Sequence, residues 1–176
     1  MRRGRWIFLA PVALLAACLA ASFWIRDAGL EMGHGLSEGE LLESSRERSG
    51  IPENWASVEA LTESAYAVLF YDPQDSSDCR FCLWAAREGE QGYFYRGGGN
   101  LSAVRDQVGV YPLRNTEYQA VISANIPQVE NIQVGDGTDF SLDPDQPFAL
   151  LLPRNPGNLA FTDIRGEEVP YSGHEW

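Results

Sequence analysis

The sequence predicts a mainly β fold: an Ig-like sandwich or small barrel of about eight or nine strands, preceded by a short helix and an N-terminal transmembrane helix. Three observations carry this. Short segments that are apolar on one or both alternating faces recur between clusters of Gly, Pro, Asn and Asp. Asp136-Gly137 between Val129–Val134 and Thr138–Leu142 is a strong hairpin signal. Trp6–Ile25 runs without a charge, behind Arg2, Arg3 and Arg5 and ahead of Arg26 and Asp27.

That uncharged run is as long as a helix needs to be to cross a bilayer, since about twenty apolar residues span the hydrocarbon core. The arginines before it favour a cytoplasmic N-terminus, and Trp6 and Trp24 sit where indoles prefer the interface. The expected order is therefore a basic cytoplasmic tail at 1–5, a transmembrane anchor or signal segment at 6–25 and a flexible polar stalk at 26–50. An extracytoplasmic β-rich domain at 51–171 and a tail at 172–176 complete it. The expected location is the cell membrane, single-pass, with the C-terminal domain outside the cytoplasm. Two other chemistries compete at the same segment. Ala20-Ala21-Ser22 offers a signal-peptide cleavage site, and Leu15-Ala16-Ala17-Cys18 resembles a bacterial lipoprotein signal in which Cys18 would be acylated.

Composition narrows the partners. All thirteen basic residues are Arg. Four of them precede Asp27, so nine (13 − 4) face all 25 acidic residues in the remainder, a net of −16. Such a domain is repelled by nucleic acid and by anionic polymers. The expected partners are the membrane, through the N-terminal helix, and a protein or cell-wall component. No cofactor or metal is expected.

Along the stalk, Ser37 with Glu40 fits a capping box, and a short helix through Leu41 and Leu42 follows, too narrowly apolar to dock firmly. Asn54 is a candidate N-cap, with Trp55, Val58 and Leu61 at helical spacing up to Glu63. Ala65–Tyr71 is apolar on both faces and reads as a covered central strand. Strands follow at Arg80–Arg87 and Gly92–Arg96, and Gly97-Gly98-Gly99-Asn100 then forces a turn or a close backbone approach. Val108–Leu113 is an edge strand because of Pro112; Tyr118–Ile126 places Tyr118, Ala120, Ile122 and Ala124 on one face. Phe148–Leu152 is apolar on both faces, and Leu159–Ile164, a turn at Arg165-Gly166 and Val169 close the domain.

Several of these stretches together resemble small membrane-anchored extracytoplasmic proteins of Gram-positive bacteria that have no assigned function. The shared pattern is Val68-Leu69-Phe70-Tyr71, Gly92-Tyr93-Phe94-Tyr95 leading into Gly97-Gly98-Gly99, and Gln128–Val134. The closing Phe161-x-Asp163-x-x-Gly166-x-x-Val169 also matches. The resemblance covers roughly 55–171; it implies an exported β-rich domain and carries no catalytic residue across.

The one arrangement that suggests catalysis is Cys79-Arg80-Phe81-Cys82. After a buried strand, a C-x-x-C at the start of a helix imitates a thioredoxin-like unit, with Cys79 as nucleophile and Cys82 as resolving thiol. Against this, acidic Asp72, Asp75 and Asp78 precede the motif, and the helix–strand alternation of that fold is missing after Gly92. The alternatives are a structural disulfide, two unpaired thiols, or half of a metal site. Geometry separates them: extended, the two Cα atoms lie about 10 Å apart, beyond disulfide reach, so a bridge needs a turn at Arg80-Phe81. Asp72, Asp75, Asp78, Asp136, Asp139, Asp143 and Asp145 lack calcium-loop spacing and read as solvated turn residues. Tyr93, Phe94, Tyr95 and Tyr111 are candidates for a binding surface or for core. His34 and His174 flank the domain, which disfavours a His-dependent triad. The leading expectation is a non-catalytic binding or envelope-assembly module, with a membrane-tethered thiol-disulfide oxidoreductase as the rival.

Overall fold

Sheet A takes its strands in chain order. β1 (Ala56–Leu61), β2 (Ala65–Asp72), β3 (Asp75–Ala86) and β4 (Tyr93–Asn100) each run antiparallel to the next. The computed structural model describes residues 35–100, 106–135, 137–154 and 158–173, all within the unit His34–Trp176. A helix, α1 (Glu38–Ser49), precedes sheet A. Sheet B is built from β5 (Val108–Pro112), β6 (Tyr118–Ser123), β9 (Phe148–Pro153) and β11 (Tyr171–Ser172), in the order β11-β5-β6-β9. Sheet C orders β10 (Leu159–Asp163), β7 (Val129–Val134) and β8 (Thr138–Ser141) as β10-β7-β8. The fold is mainly β, with eleven strands among the described residues rather than eight or nine, and its sheets are open.

Side-chain alternation explains the layering. On β2, Ala65, Ala67 and Leu69 join Cys79, Phe81 and Leu83 of β3 against Ala120 and Ile122 of β6, so sheets A and B meet face to face. The even-numbered neighbours Tyr66, Val68 and Phe70, with Cys82 and Trp84, pack instead under Leu41 of α1. Sheet B is covered on its other face too: Val108, Val110 and Val121 meet Ile132, Val134 and Phe161 of sheet C. The layers run α1, sheet A, sheet B, sheet C. Doubly apolar strands such as β2 and β9 are those enclosed between layers.

Asn125 ties the last two layers together. It adopts a left-handed backbone, φ 57°, just beyond β6. Its buried amide nitrogen donates to the carbonyls of Val129, Asp143 and Pro144, and its Oδ1 accepts from the Val129 amide at 2.8 Å. A short amide side chain tolerates this conformation where most residues would be strained.

Four expectations are corrected. The helix expected from Trp55 to Glu63 is β1: Ala56, Val58 and Ala60 alternate as well, and pairing with β2 from Ala56↔Tyr71 to Leu61↔Tyr66 overrides the local helical spacing. The turn expected at Gly97-Gly98-Gly99-Asn100 is instead the end of β4. Its glycines serve the close approach, because a Cβ on Gly98 would lie 2.5 Å from the Phe81 carbonyl oxygen. The barrel alternative gives way to open sheets. The flexible stalk expected at 26–50 does not hold over α1, which is docked on sheet A with Leu41 only 1% exposed and Ser45 fully buried. The Ser37–Glu40 capping box does form: the Glu40 carboxylate accepts from the Ser37 amide at 2.9 Å and from its hydroxyl at 2.5 Å. Gly50, left-handed at φ 59°, closes the helix. The stretch at 6–25, Cys18, His34 and His174 lie outside the described residues.

Candidate functional site

The two cysteines lie within β3, which is paired on both sides: Tyr71↔Cys79 and Val68↔Cys82 with β2, and Cys82↔Gly98 with β4. A strand held by two ladders cannot make the turn that a Cys79–Cys82 bridge requires. Three residues apart on a strand, the side chains point to opposite faces. Cys79 sits between sheets A and B, Cys82 under α1; the two form no disulfide with each other and both are fully buried. The expected disulfide and the redox pair at Cys79 and Cys82 are corrected by this geometry. A resolving thiol must reach the sulfur it resolves, and here a sheet separates them.

Cys82 instead belongs to a polar seam between α1 and sheet A. Its sulfur lies 2.9 Å from the Ser49 hydroxyl and donates to the Ser45 carbonyl at 3.7 Å. Burial pushes the thiol pKa up, and its hydrogen bonds with Ser49 and Ser45 and the nearby Arg48 offset this only in part. The thiol stays protonated and is a poor nucleophile. Beside it, Trp84 Nε1 donates to Ser45 Oγ at 2.8 Å. Leu41, Ser45 and Ser49 recur every four residues, the row of a helix that faces a neighbour.

Arginines close the seam. Arg80 Nη1 donates to the carbonyls of Ser49 at 2.6 Å and Gly50 at 3.5 Å, at the negative end of the α1 dipole. Arg46 donates to the Pro52 carbonyl at 2.9 Å and lies over the Phe70 ring at 5.1 Å; Arg48 lies over Tyr95 at 4.3 Å. These cations cap carbonyls and cover aromatic faces, which docks the helix through polar contacts. Sequence reading missed the seam because it counted only leucines. The 41/45/49 spacing was the available signal, but the indole that makes a buried serine worthwhile comes from β3.

The other candidates divide among core, turn and strand, with Asp75 and Asp78 on β3 and Asp139 on β8 rather than in turns. Tyr93 is buried and its hydroxyl donates to the Thr62 carbonyl at 2.7 Å; Tyr95 packs edge-on to Trp84, and Tyr111 stacks on Phe81 with centroids 4.9 Å apart. Burial pushes the Tyr111 hydroxyl up to about 12. Phe94 is buried too, with the Arg87 guanidinium over its ring at 4.2 Å, so all four aromatics lie against other side chains of the fold. Asp72 accepts from the Gln74 amide at 2.9 Å and Asp143 from the Asp145 amide at 3.0 Å, which makes them turn residues. Asp136 lies outside the described residues. Among the described residues no three His, Cys, Asp or Glu side chains gather as a metal site would require.

Asp163 is a carboxylate with a dense set of donors. It accepts from the Glu167 amide at 2.9 Å and the Arg165 amide at 2.8 Å, and from the Arg165 guanidinium at 2.9 and 2.8 Å. The Glu167 amide first, then Arg165, hold its pKa below the usual range. Fixed by these bonds, it builds the turn after β10 and has no proton to offer near neutral pH. No protein-family model, curated protein or solved structure matches the chain.

Proposed function

We propose that this chain is a single-pass, membrane-anchored extracytoplasmic module that binds a protein or cell-wall component without catalysing a reaction. The observation that carries the reading is the uncharged stretch Trp6–Ile25 with Arg2, Arg3 and Arg5 before it and the −16 remainder after it. The β-rich layers support it: the thiols are buried on opposite faces, and Asp163 is engaged in its turn. An immunoglobulin-like sandwich is the finer fold assignment within this proposal, supported by the stacking of two four-stranded sheets around Leu69, Phe81 and Ile122. Among the described residues no helix is long and apolar enough to cross a membrane, and 6–25 is not among them.

The test is topological. The full chain with a C-terminal epitope is expressed in a bacterial host and fractionated. The expected result is a membrane-bound product whose epitope is removed by protease added outside cells stripped of their wall. An epitope protected until the membrane is broken overturns the orientation, and a product washed from membranes by alkaline carbonate overturns the anchor. Intact mass of the membrane-extracted chain separates retention of residues 6–25 from acylation at Cys18, which would replace the spanning helix with acyl chains.

A further inference from the structure

Sheet C ends on an open strand. β8 pairs with β7 on one side only, and Thr138, Asp139, Phe140 and Ser141 are all exposed. The opposite edge of that sheet is occupied: beyond β10, the Asp163 amide donates to the Glu167 carbonyl at 2.9 Å and the Val169 amide to the Phe161 carbonyl at 2.8 Å. At the edge of sheet A, β4 is joined at its start by Leu36 and broken by a bulge at Arg96. Such devices keep an edge from pairing with another chain. β8 has no proline and no bulge in its register with β7.

The ladder fixes which groups this edge offers. The Leu142 amide donates to the Glu130 carbonyl at 2.8 Å. Opposite residues of an antiparallel pair alternate between bonded and unbonded, so Phe140 turns its peptide groups to β7 while Asp139 and Ser141 turn theirs outward. Phe140 lies opposite Ile132, which is buried between sheets B and C, yet is itself 37% exposed at the rim of that core. Asp139 lies opposite Gln133 on the outer face. The segment around them carries one sign of charge. Between Arg114 and Arg154 there is no basic residue, while Glu117, Glu130, Asp136, Asp139, Asp143 and Asp145 are acidic.

We propose that β8 is a docking edge for an extended, cationic peptide segment of a partner protein, added antiparallel to Thr138–Ser141 as a further strand of sheet C. Its main chain bonds the outward peptide groups of Asp139 and Ser141. An apolar side chain opposite Phe140 falls in the close, unbonded pairing, and a basic one opposite Asp139 meets the acidic outer face. A second copy of this chain is disfavoured, because it brings the same acidic segment to the edge and like charges across a ladder repel. This rests on the binding-module reading and gives its partner a chemistry. The two fail separately: a chain that fails the topology test but binds the peptide refutes the anchor alone.

The experiment titrates the full chain, held in nanodiscs of zwitterionic lipid, with a capped peptide that alternates arginine and valine. Three further peptides carry glutamate for arginine, N-methyl groups on the arginine amides, or N-methyl groups on the valine amides. The expected result is saturable binding at about 10–100 μM, with slowed amide exchange at Asp139 and Ser141 in NMR spectra. The glutamate and arginine-methylated peptides should bind at least tenfold more weakly. Methylation of the valine amides, which point away from β8, should change little. Ser141→Pro removes an outward donor and should weaken binding tenfold; Asp139→Arg, at an exposed position, should narrow the gap between the arginine and glutamate peptides. No saturation by about 1 mM, equal binding of the arginine-methylated peptide, or protection of other amides in place of these two overturns the edge. Equal binding of the arginine and glutamate peptides, or an unchanged gap in Asp139→Arg, overturns the charge assignment. Dimerisation that slows the same two amides without peptide makes a second copy the occupant and overturns the partner.

Discussion

Replacing Leu41 with Ala tests whether α1 is a separable layer. Leu41 is 1% exposed and is the one fully buried leucine that the helix puts onto sheet A. Its truncation should cost about 2–3 kcal/mol, at the lower end of buried Leu-to-Ala changes because the rest of the contact is polar. A helix this short is marginal in water when undocked. The loss should therefore appear as local opening of α1, about 30- to 150-fold more frequent, since about 1.4 kcal/mol is a factor of ten. The protein carries its own reporters. Cys82 lies under α1 and Cys79 between the two sheets, both on β3. Alkylation under native conditions, at a reagent level where labelling tracks opening, is followed by trypsin. The enzyme cuts after Arg80 and puts the two thiols in different peptides. Cys82 labelling should accelerate by that factor while Cys79 stays slow. Equal acceleration of both thiols, or of neither, would refute the layered account in which α1 opens alone.

Three further outcomes follow from the same structure. Because the thiols are separated by the sheet, a mild reductant should leave the melting temperature unchanged; a drop on reduction would mean that a bridge exists. Asn125→Ala should destabilise by about 3 kcal/mol in urea unfolding, because the Val129 amide loses the side-chain oxygen it donates to and the carbonyls of Val129, Asp143 and Pro144 lose the Asn125 donor at once; a loss below about 1 kcal/mol would mean that water replaces the side chain. Asp163 has a folded pKa below its unfolded value near 3.9, so its contribution is present above about pH 4 and is lost as pH falls further through the folded pKa. Asp163→Asn should therefore lower the melting temperature at pH 7 and narrow its gap to wild type towards pH 2, whereas a pH-independent gap would rule out the charge as the cause.

Local pattern alone made most of the β-structure legible. Alternation placed Tyr118, Ala120 and Ile122 on one face of β6 with Ala124 just beyond its end, and all four reach the sheet A–sheet B core. The doubly apolar β2 is indeed covered on both sides. Asp136-Gly137 located the β7–β8 hairpin, with Val134 opposite Thr138. What failed was whatever depended on a distant partner. Trp55, Val58 and Leu61 fit a helix until β2 offers a ladder for the same residues. A stretch with one buried leucine reads as a tether until Trp84 supplies a donor to Ser45 and Arg80 bonds the carbonyls at its end.

By itself, then, the sequence determined the β-strand periodicity, the hairpin, the capping box, the acidic balance and the uncharged run at Trp6–Ile25. Each follows from interactions within a few residues or from simple sums of charge and hydropathy. Only the tertiary structure decided the fate of Cys79 and Cys82. Their spacing suits a bridge across a turn and opposite faces along a strand equally well. The choice was made by β2 and β4, which pair with β3 from both sides and hold it extended. Backbone ladders formed with the preceding and following strands leave no mark in the four residues they constrain.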